Sequence, residues 1–263
     1  MSGFEAGWLS LREPADRRAR NETLLLAASG FVSGRDGAIV DLGCGTGSTF
    51  RALDPVCAGG QSWVFVDDDP RLLERARELQ PADARKRIAL RRADLSMLDD
   101  GLFEGASLVT ASALFDLVSE RFIEAFARAM RDRGLALYSA LSVDGRIAWD
   151  SPHALDGAVV AAFTADQRRD KGFGEGLGAD AAIGLERAFE AEGYAVRSAR
   201  SDWVLGRGDV ALQDAFHEGF AGPAQDRLGE DEIAAWLRHR AEAARAGSTV
   251  RIGHRDMLAL PAR

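Results

Sequence analysis

Cysteine is scarce in this sequence, and its scarcity narrows the classes of protein to which the chain can belong. Only two cysteines occur among 263 residues, Cys44 and Cys57, and they do not form a CxxC pair. A disulfide framework or a zinc site built from thiolates needs more cysteines at defined spacings. We therefore predict neither, and we predict no bound metal.

Long apolar runs are also missing. No stretch approaches the roughly 18 apolar residues that identify a membrane-spanning helix. The first residues, MSGFEAGWLSLREPADRR, lack the charged and then apolar segments of a secretory signal. These absences predict a cytoplasmic protein that does not bind a membrane.

Basic residues are outnumbered by acidic ones. Lysine and arginine total 33 against 41 aspartates and glutamates, which gives a formal net charge of −8. Proteins that bind nucleic acid take much of their affinity from contacts of lysine and arginine with phosphates. Two arginine-rich stretches, 15–21 and 85–92, are interpreted as solvated faces of a helix or strand. We expect no nucleic-acid partner, and the sequence does not indicate the oligomeric state.

Short apolar runs alternate with helical patterns along the first half of the chain. Such alternation predicts a parallel sheet with helices on both faces. The looser second half adds two more strand patterns, so seven strands are predicted in all. The predicted strands are AIVDLG, SWVFVDDDP, RIALRRADL, ASLVTAS, GLALYSAL, YAVRSARSDWVLG and STVRIGHRDMLALP.

Several helix boundaries can also be predicted. Residues from about 8 to 29 have a helical pattern that Pro14 is expected to break or restart. Pro70 stands at the first-turn position of a helix. Ser119 is expected to cap the helix that follows the fourth strand, and Gly134 to end it.

Three glycines at alternate positions, Gly43, Gly45 and Gly47, directly follow the first predicted strand in IVDLGCGTGSTF. Glycine costs folding entropy, so this spacing suggests either a ligand that approaches the backbone, such as a phosphate, a dinucleotide or an adenosyl cofactor, or a tight structural turn. The dinucleotide fingerprint places its third glycine one residue later, where Ser48 stands, and the phosphate-loop motif is absent. Asp67 ends the second strand about 20 residues on, where a carboxylate suits the two hydroxyls of a ribose.

On these motifs the chain resembles the class I S-adenosylmethionine-dependent methyltransferases that act on small molecules. VDLGCGTG is similar to the family's glycine motif, VFVDDDP to its second motif, RRADLSML to its third and LVTASALFDLV to its fourth strand. The likeness covers roughly residues 38–141, with weaker support toward the C-terminus. One departure is RDRGLAL, which retains only Gly134 where the family often has Pro-Gly-Gly.

The resemblance implies an α/β fold with a Rossmann-like, seven-stranded, mostly parallel sheet, helices on both faces and helical cap insertions. It also implies S-adenosyl-L-methionine as cofactor and S-adenosyl-L-homocysteine as product. Asp67 would hold the ribose hydroxyls, Asp68 would lie beside the adenine, and Asp94 would accept from the adenine amine, helped by the Leu95 backbone. The residues expected to bind the cofactor are Asp41, Gly43, Cys44, Gly45, Thr46, Gly47, Asp67, Asp68, Asp94, Leu95, Ser112 and Leu114.

We predict one methyltransferase domain over residues 1–263. It comprises an N-terminal helical segment (1–35), a cofactor-binding core (36–141), two cap insertions (142–178 and 207–247) and the last strand (248–263). In the family fold, the fifth and sixth strands end at the edge where the cofactor binds, and the seventh begins there. Both insertions are therefore expected to cover the methyl end of the cofactor.

The candidates for catalysis and for substrate binding lie near that edge. Asp116, just past the fourth strand, is the acid nearest the predicted methyl group and could position substrate or take a proton. The candidate substrate residues are Arg12, Arg168, Arg169, Lys171 and His217. The alternative interpretation of the cations at 168–171 is a solvated helix end, and that of His217 is surface packing.

The predicted function is methyl transfer to an oxygen or nitrogen of a small molecule. The prediction includes a carboxylate as acceptor. A carboxylate would need no catalytic base, because it carries no proton that has to be removed. Two alternatives stay open: an RNA or protein methyltransferase, and a non-catalytic adenosyl-binding partner subunit. The acidic charge, and the lack of an Asn-Pro-Pro-Tyr-type motif after the fourth strand, count against a nucleic-acid substrate.

Overall fold

The computed structural model describes residues 6–262, whose strands join in one mostly parallel sheet. The strands are β1 (Ala38–Leu42), β2 (Ser62–Asp67), β3 (Ile88–Arg92), β4 (Ala106–Ser112), β5 (Ala136–Trp149), β6 (Ala195–Arg200), β7 (Trp203–Leu205) and β8 (Val250–Leu260). Their spatial order is β3-β2-β1-β4-β5-β8-β6, and the short β7 also pairs with β8. The pairs among β1 to β5 are parallel, whereas β5, β6 and β7 each pair with β8 in the antiparallel sense.

Helices cover both faces of the sheet, each through its own apolar core. The helices are α1 (Ala6–Ala19), α2 (Glu22–Val32), α3 (Ser48–Leu53), α4 (Pro70–Glu78), α5 (Ala82–Arg85), α6 (Glu120–Asp132), α7 (Asp156–Gln167), α8 (Ala181–Ala191), α9 (Val210–Ala224) and α10 (Glu230–Ala246). Phe126 of α6 and Leu185 of α8 belong to one core, and Leu24 of α2 and Phe50 of α3 belong to the other. A third core joins α7, α9 and α10 to α1 and to strands β7 and β8.

The predicted fold class and many boundaries are confirmed. β4 has the predicted bounds, and Pro70 is the first residue of α4. The Ser119 hydroxyl accepts from the Phe122 N–H, which caps α6. Gly134 follows α6 with a left-handed φ of +62°, as a helix-ending glycine does.

Two predicted boundaries differ from the structure, one in the N-terminal helical segment and one in the sixth strand. Pro14 does not break its helix but lies inside α1, on the exposed side, where water can satisfy the carbonyl that lacks a donor. The break comes at Asn21, whose side chain accepts from the Leu24 N–H and caps α2. Within residues 6–262 the sheet has eight strands and not seven, because the predicted sixth strand divides at Ser201 and Asp202 into β6 and β7. Residues 1–5 of the predicted N-terminal segment lie outside the described residues.

The fifth strand is longer than predicted. It was expected to end at Leu141 but continues to Trp149, because β8 supplies a hydrogen-bonding partner as far as Val250. The following helix, α7, begins at Asp156, whose carboxylate accepts from the His153 N–H. The first predicted insertion thus starts with eight residues of sheet.

Candidate active site

The three glycines form a tight turn between β1 and α3. Their φ values are +61°, +53° and +80° for Gly43, Gly45 and Gly47, a region that residues with a side chain rarely adopt. A Cβ atom on Gly45 would lie 3.1 Å from Leu9 Cδ1, so helix α1 packs directly on this turn. The sequence folds in this way because only glycine permits both the left-handed backbone and the close approach.

A cavity of about 100 Å³ lies over this turn, and we call it the glycine-turn cavity. Its walls come from α1, the glycine turn, the ends of β2 and β4, and the segment after β3. The lining residues are Leu9, Arg12, Asp16, Gly43, Cys44, Gly45, Thr46, Ser48, Thr49, Asp67, Asp68, Leu72, Leu95, Ser112, Ala113, Leu114 and Leu117. It lies at the carboxyl ends of parallel strands, where open α/β sheets bind ligands.

Asp67 is held rigidly at the end of β2. One carboxylate oxygen accepts from the Gly45 N–H at 2.9 Å, and the other accepts from the Asp69 N–H at 3.1 Å. Burial raises the pKa of this carboxyl above its usual value, which the two backbone donors partly offset. Each oxygen keeps a further lone pair, so the group can still accept from two neighbouring hydroxyls.

Asp41 lies beneath the turn and is 0% exposed. The Thr110 hydroxyl donates to its Oδ1 at 2.7 Å, and within the described residues Oδ2 has no hydrogen-bond partner. Desolvation raises the pKa of Asp41 to about 7, although Thr110, Arg20 and Thr49 act in the opposite direction. Around neutral pH this group can therefore hold or release a proton.

Two hydroxyls connect this region to a buried guanidinium. Arg20 donates from Nη2 to the Ser112 Oγ at 2.9 Å, and Ser112 lies 3.0 Å from the Thr49 hydroxyl. Arg20 is 7% exposed, and its Nη1 has no hydrogen-bond partner among residues 6–262. The nearby Asp256 is occupied elsewhere, because its carboxylate accepts from the Asn21 and Leu141 N–H groups.

A second cavity, of about 300 Å³, adjoins the first, and we call it the cap cavity. The two share Arg12, Ala113 and Leu117. Most of its walls are apolar or aromatic, from α1, α7, α9, β7 and the β5–β8 pair. The lining residues are Trp8, Arg12, Ala113, Asp116, Leu117, Leu141, Val143, Gly145, Arg146, Ile147, Phe163, Thr164, Gln167, Lys171, Trp203, Ala215, Phe216, Gly219, Phe220, Ile252, Gly253 and His254.

Asp116 is the carboxyl group of the cap cavity. It is 9% exposed, and its Oδ1 is buried without a hydrogen-bond partner in the described part of the chain. Desolvation raises the pKa of Asp116, against smaller effects that include the charges of Arg12 and Lys171. A carboxylate in such a position is a better proton acceptor than one in water.

The other polar groups of the cap cavity are largely neutralised. Arg12 forms two hydrogen bonds with Asp16, and Arg146 is paired with Asp144. Burial lowers the pKa of His254 to about 4, so this imidazole is neutral at physiological pH. Lys171 is the loosely held cation among the lining residues, with Asp166 3.8 Å away.

The junction of the two cavities carries backbone strain. Ala113, which lines both, has a φ of +50°, and Leu141 in the cap cavity has a φ of +59°. Left-handed conformations cost residues with a Cβ roughly 1–2 kcal/mol. Such strain persists only where the surroundings impose it, and it gathers at functional sites.

Most of the predicted cofactor-binding residues meet around the glycine-turn cavity. Those that line it are Gly43, Cys44, Gly45, Thr46, Asp67, Asp68, Leu95, Ser112 and Leu114. Asp41 and Gly47 lie just behind the lining, whereas Asp94 is exposed and its carboxylate accepts from the Ser96 N–H. The role of Asp94 toward an adenine amine stays a prediction.

The predicted substrate residues do not all meet. Arg12 lines both cavities, and Lys171 and the candidate Asp116 line the cap cavity. Arg168 and Arg169 instead form exposed ion pairs, with Asp180 and Asp166. His217, expected on the surface or at substrate, is buried behind the cavity wall. Its Nε2 accepts from the Trp149 indole at 3.0 Å, and burial lowers its pKa to about 4.

Sequence reasoning placed Arg12 of the first helix near the site but did not identify the other lining residues of that helix. Leu9 and Asp16 of α1 line the glycine-turn cavity, and Trp203 lines the cap cavity while its indole donates to Asp16. Arg20, just past α1, was also missed. The glycine and acid motifs are local in sequence, whereas these contacts join residues almost 190 positions apart.

Residues 6–262 show neither a metal site nor a membrane span. Residues 6–262 contain no group of three or more histidine, cysteine or acidic side chains arranged to hold an ion. In the same part of the chain, every helix is too short or too polar to cross a lipid bilayer.

Comparison with known families agrees with the site. Residues 39–134 match the family model described as a methyltransferase domain, a range that covers β1 to the end of α6. No curated protein matches the chain in sequence.

Solved structures share the fold at low sequence identity. The YcgJ protein of Bacillus subtilis is 13% identical with a TM-score of 0.51, covering 92% of this chain and 100% of that one. An inferred methyltransferase of Bacillus halodurans is also 13% identical with a TM-score of 0.51, over 90% and 99%. The geranyl diphosphate C-methyltransferase of Streptomyces coelicolor, in complex with Mg²⁺, geranyl diphosphate and S-adenosyl-L-homocysteine, is 13% identical with a TM-score of 0.46, over 90% and 78%.

Proposed function

We propose that this chain, whose residues 39–134 match a methyltransferase domain, is a class I S-adenosylmethionine-dependent methyltransferase and that it methylates a small molecule held in the cap cavity. The observation that carries the proposal is the cavity itself. It encloses about 300 Å³, adjoins the glycine-turn cavity, and is walled mainly by apolar and aromatic side chains. Pockets of this size and composition suit small ligands with an apolar body.

The residues around the glycine-turn cavity fit the cofactor. The left-handed glycines leave room for a ligand against the backbone, and Asp67 offers two oriented oxygens for a pair of ribose hydroxyls. Leu72 and Leu95 provide apolar surface for an adenine ring. We propose that Gly43, Gly45 and Asp67 hold S-adenosylmethionine here, with its methyl end toward Ala113 and Leu117, the residues that the two cavities share.

The bound cofactor supplies an activated methyl group on a sulfonium. The protein's own contribution is to align the acceptor and to exclude water. Trp8 and Phe216 both line the cavity, and α7 and α9, which also line it, are joined by a stacked contact of Phe163 and Phe220 with ring centres 3.8 Å apart. Fixing two reactants in line can supply roughly 7–11 kcal/mol of the barrier.

The acceptor atom that we propose is a hydroxyl oxygen or an amine nitrogen. Such a group carries a proton that has to leave, and we propose that it passes to Asp116, which lines the cavity and whose Oδ1 has no hydrogen-bond partner among the described residues. The raised pKa of Asp116 strengthens it as a base. A carboxylate acceptor would need no base and would leave the position of Asp116 without a catalytic use.

The test has two steps. Metabolites of the host cell are screened with radiolabelled S-adenosylmethionine, and the acceptor found is used for kinetics of Asp116→Asn. We expect kcat to fall roughly 100- to 10 000-fold, with the affinity for S-adenosylhomocysteine unchanged. Asp180→Asn, at an exposed aspartate, serves as the control. Transfer only to RNA or protein would refute the proposal, and an unchanged kcat would refute the role of Asp116.

A further inference from the structure

We propose that His254 selects the substrate through the lone pair of its Nε2, which accepts a hydrogen bond from a hydroxyl or N–H group of an uncharged, mostly apolar small molecule. The inference rests on the proposed function, because it takes the cap cavity as the substrate site. His254 lines that cavity from β8, well beyond the segment 39–134 that matches the family model.

The imidazole of His254 is held in one tautomer. Its Nδ1 lies 3.1 Å from the carbonyl oxygen of Ile252. A carbonyl oxygen can only accept, so Nδ1 carries the proton and donates it to this bond. Burial lowers the pKa of His254 to about 4, and the charge of Arg12 acts in the same direction. The ring is therefore neutral at physiological pH, and Nε2 keeps its lone pair.

The lone pair of Nε2 is directed to open space. His254 is 4% exposed, and its hydrogen bonds within residues 6–262 are made by Nδ1 and by the backbone. Among the described residues, His217 Nδ1 and His239 Nε2 are fully buried without a partner, whereas Nε2 of His254 is not fully buried. This atom therefore borders the cap cavity, which is the cavity that His254 lines. Once a ligand excludes water, the acceptor costs free energy unless the ligand supplies a donor.

The strands on both sides of β8 fix the position of this acceptor. On β5 the register partner of His254 is Val143, which also lines the cap cavity. On the other side, the carbonyl of His254 accepts from the Ser201 N–H at 2.9 Å, and its ring contacts the Trp203 indole with ring centres 5.2 Å apart. A fixed acceptor loses little freedom when a ligand binds, so it can select by position as well as by chemistry.

The surrounding walls indicate the rest of the substrate. Aromatic side chains such as Trp8 and Phe216 offer contact surface to an apolar body. The arginines of the lining, Arg12 and Arg146, are already paired with aspartates. A nitrogen lone pair attracts a donor hydrogen and repels a carboxylate oxygen. A neutral hydroxyl or N–H group therefore suits His254, and a carboxylate does not.

The experiment compares three probes that differ in one group. At neutral pH, 4-ethylphenol is an uncharged donor, 4-ethylanisole keeps the oxygen but lacks the donor, and 4-ethylbenzoate is an anion. NMR titrations measure the affinity of each probe for the full chain and for His254→Asn. An asparagine amide can take the place of Nδ1 and keep the bond to Ile252, but it leaves nothing at the place of Nε2. His153→Asn, at a histidine outside the cap cavity, serves as the control.

We expect the original protein and His153→Asn to bind 4-ethylphenol roughly 3- to 10-fold more tightly than either other probe, which is the value of one hydrogen bond. His254→Asn should bind the phenol and the anisole within about 2-fold of each other. In ¹⁵N spectra of the original protein, the Nε2 resonance of His254 should move when the phenol binds and stay in place when the anisole binds.

A preference for the phenol that survives in His254→Asn would overturn the inference, because a structural role weakens all probes alike. Tightest binding of 4-ethylbenzoate would overturn it too, as would an original protein that binds none of the probes. If His254→Asn does not fold, the ¹⁵N spectra decide, and an Nε2 resonance that ignores the phenol refutes the contact. Binding of S-adenosylhomocysteine is measured separately. A protein that prefers the phenol but does not bind this ligand would refute the proposed function and not the selection by His254.

Discussion

Replacing Asp41 by asparagine removes a buried charge with little change in shape. The side chain is 0% exposed, its Oδ1 accepts from Thr110, and its Oδ2 has no partner in the described residues. Asparagine keeps an oxygen for Thr110 and places a neutral amide where Oδ2 lies. We expect Asp41→Asn to fold and, above neutral pH, to be more stable than the original protein.

The magnitude follows from the pKa. Burial raises the pKa of Asp41 from 3.8 to about 7, so the folded chain keeps a proton that the unfolded chain loses. The stabilisation from this proton is complete below pH 3.8 and is lost as the pH rises through about 7. One pKa unit corresponds to about 1.4 kcal/mol, so the whole effect is on the order of 4 kcal/mol.

The assay is urea unfolding of both proteins at pH 5, 6, 7 and 8. We expect the stability advantage of Asp41→Asn to grow by roughly 2–3 kcal/mol over this range. Asp36→Asn, at an exposed aspartate, should show no such trend. An advantage independent of pH would mean that Asp41 titrates alike in both states. An advantage that shrinks with rising pH would mean that Arg20 stabilises the carboxylate, and either result refutes the reasoning.

Three further changes give expected outcomes. Asp67→Ala should weaken S-adenosylhomocysteine binding roughly 30- to 1000-fold in calorimetry, because two hydrogen bonds to a charged group are lost. Asp68→Ala should weaken it less, and the reverse order would contradict the role of Asp67. Gly45→Ala should lower both the melting temperature and the cofactor affinity, since φ is +53° and the new Cβ would meet Leu9 at 3.1 Å; unchanged values would show that the turn can relax. Arg240→Met should reduce the free energy of unfolding by about 3 kcal/mol, because Arg240 is 1% exposed and its loss leaves the Asp156 carboxylate without its cationic partner. A loss below about 0.5 kcal/mol in denaturant titration, the usual size for a surface change, would contradict this.

The position of the glycine-turn cavity could be predicted because its signals are local. The three glycines indicate a left-handed backbone turn, and the run of residues around Asp67 indicates the end of a strand. The structure brings Gly43, Gly45 and Asp67 to one cavity. Asp94 shows where such reasoning stops, because its side chain accepts from the Ser96 N–H two residues away and is exposed.

The lining of the cap cavity could not be predicted in the same way, because contacts between residues distant in sequence determine which side chains form it. Asp144 and Gly145 look like turn residues and do lie in an irregularity where β5 shifts register against β8, yet the pairing resumes at Ile147 and continues to Trp149. Arg20 reads as one of several surface arginines and becomes buried only through the turn between α1 and α2. His217 has a helical position that suits a surface, but the Trp149 indole donates to it in the interior.

Helix α1 contributes walls to both cavities. Leu9 lines the glycine-turn cavity, Trp8 lines the cap cavity, and Arg12 lines both. A ligand in either cavity therefore restricts the same helix. The first ligand to bind bears the entropy cost of ordering this helix, so the second ligand binds to a helix that is already ordered. We expect the two ligands to bind with positive cooperativity, and the coupling is reciprocal by thermodynamic necessity. A single N-terminal helix would then couple the occupancy of the two cavities.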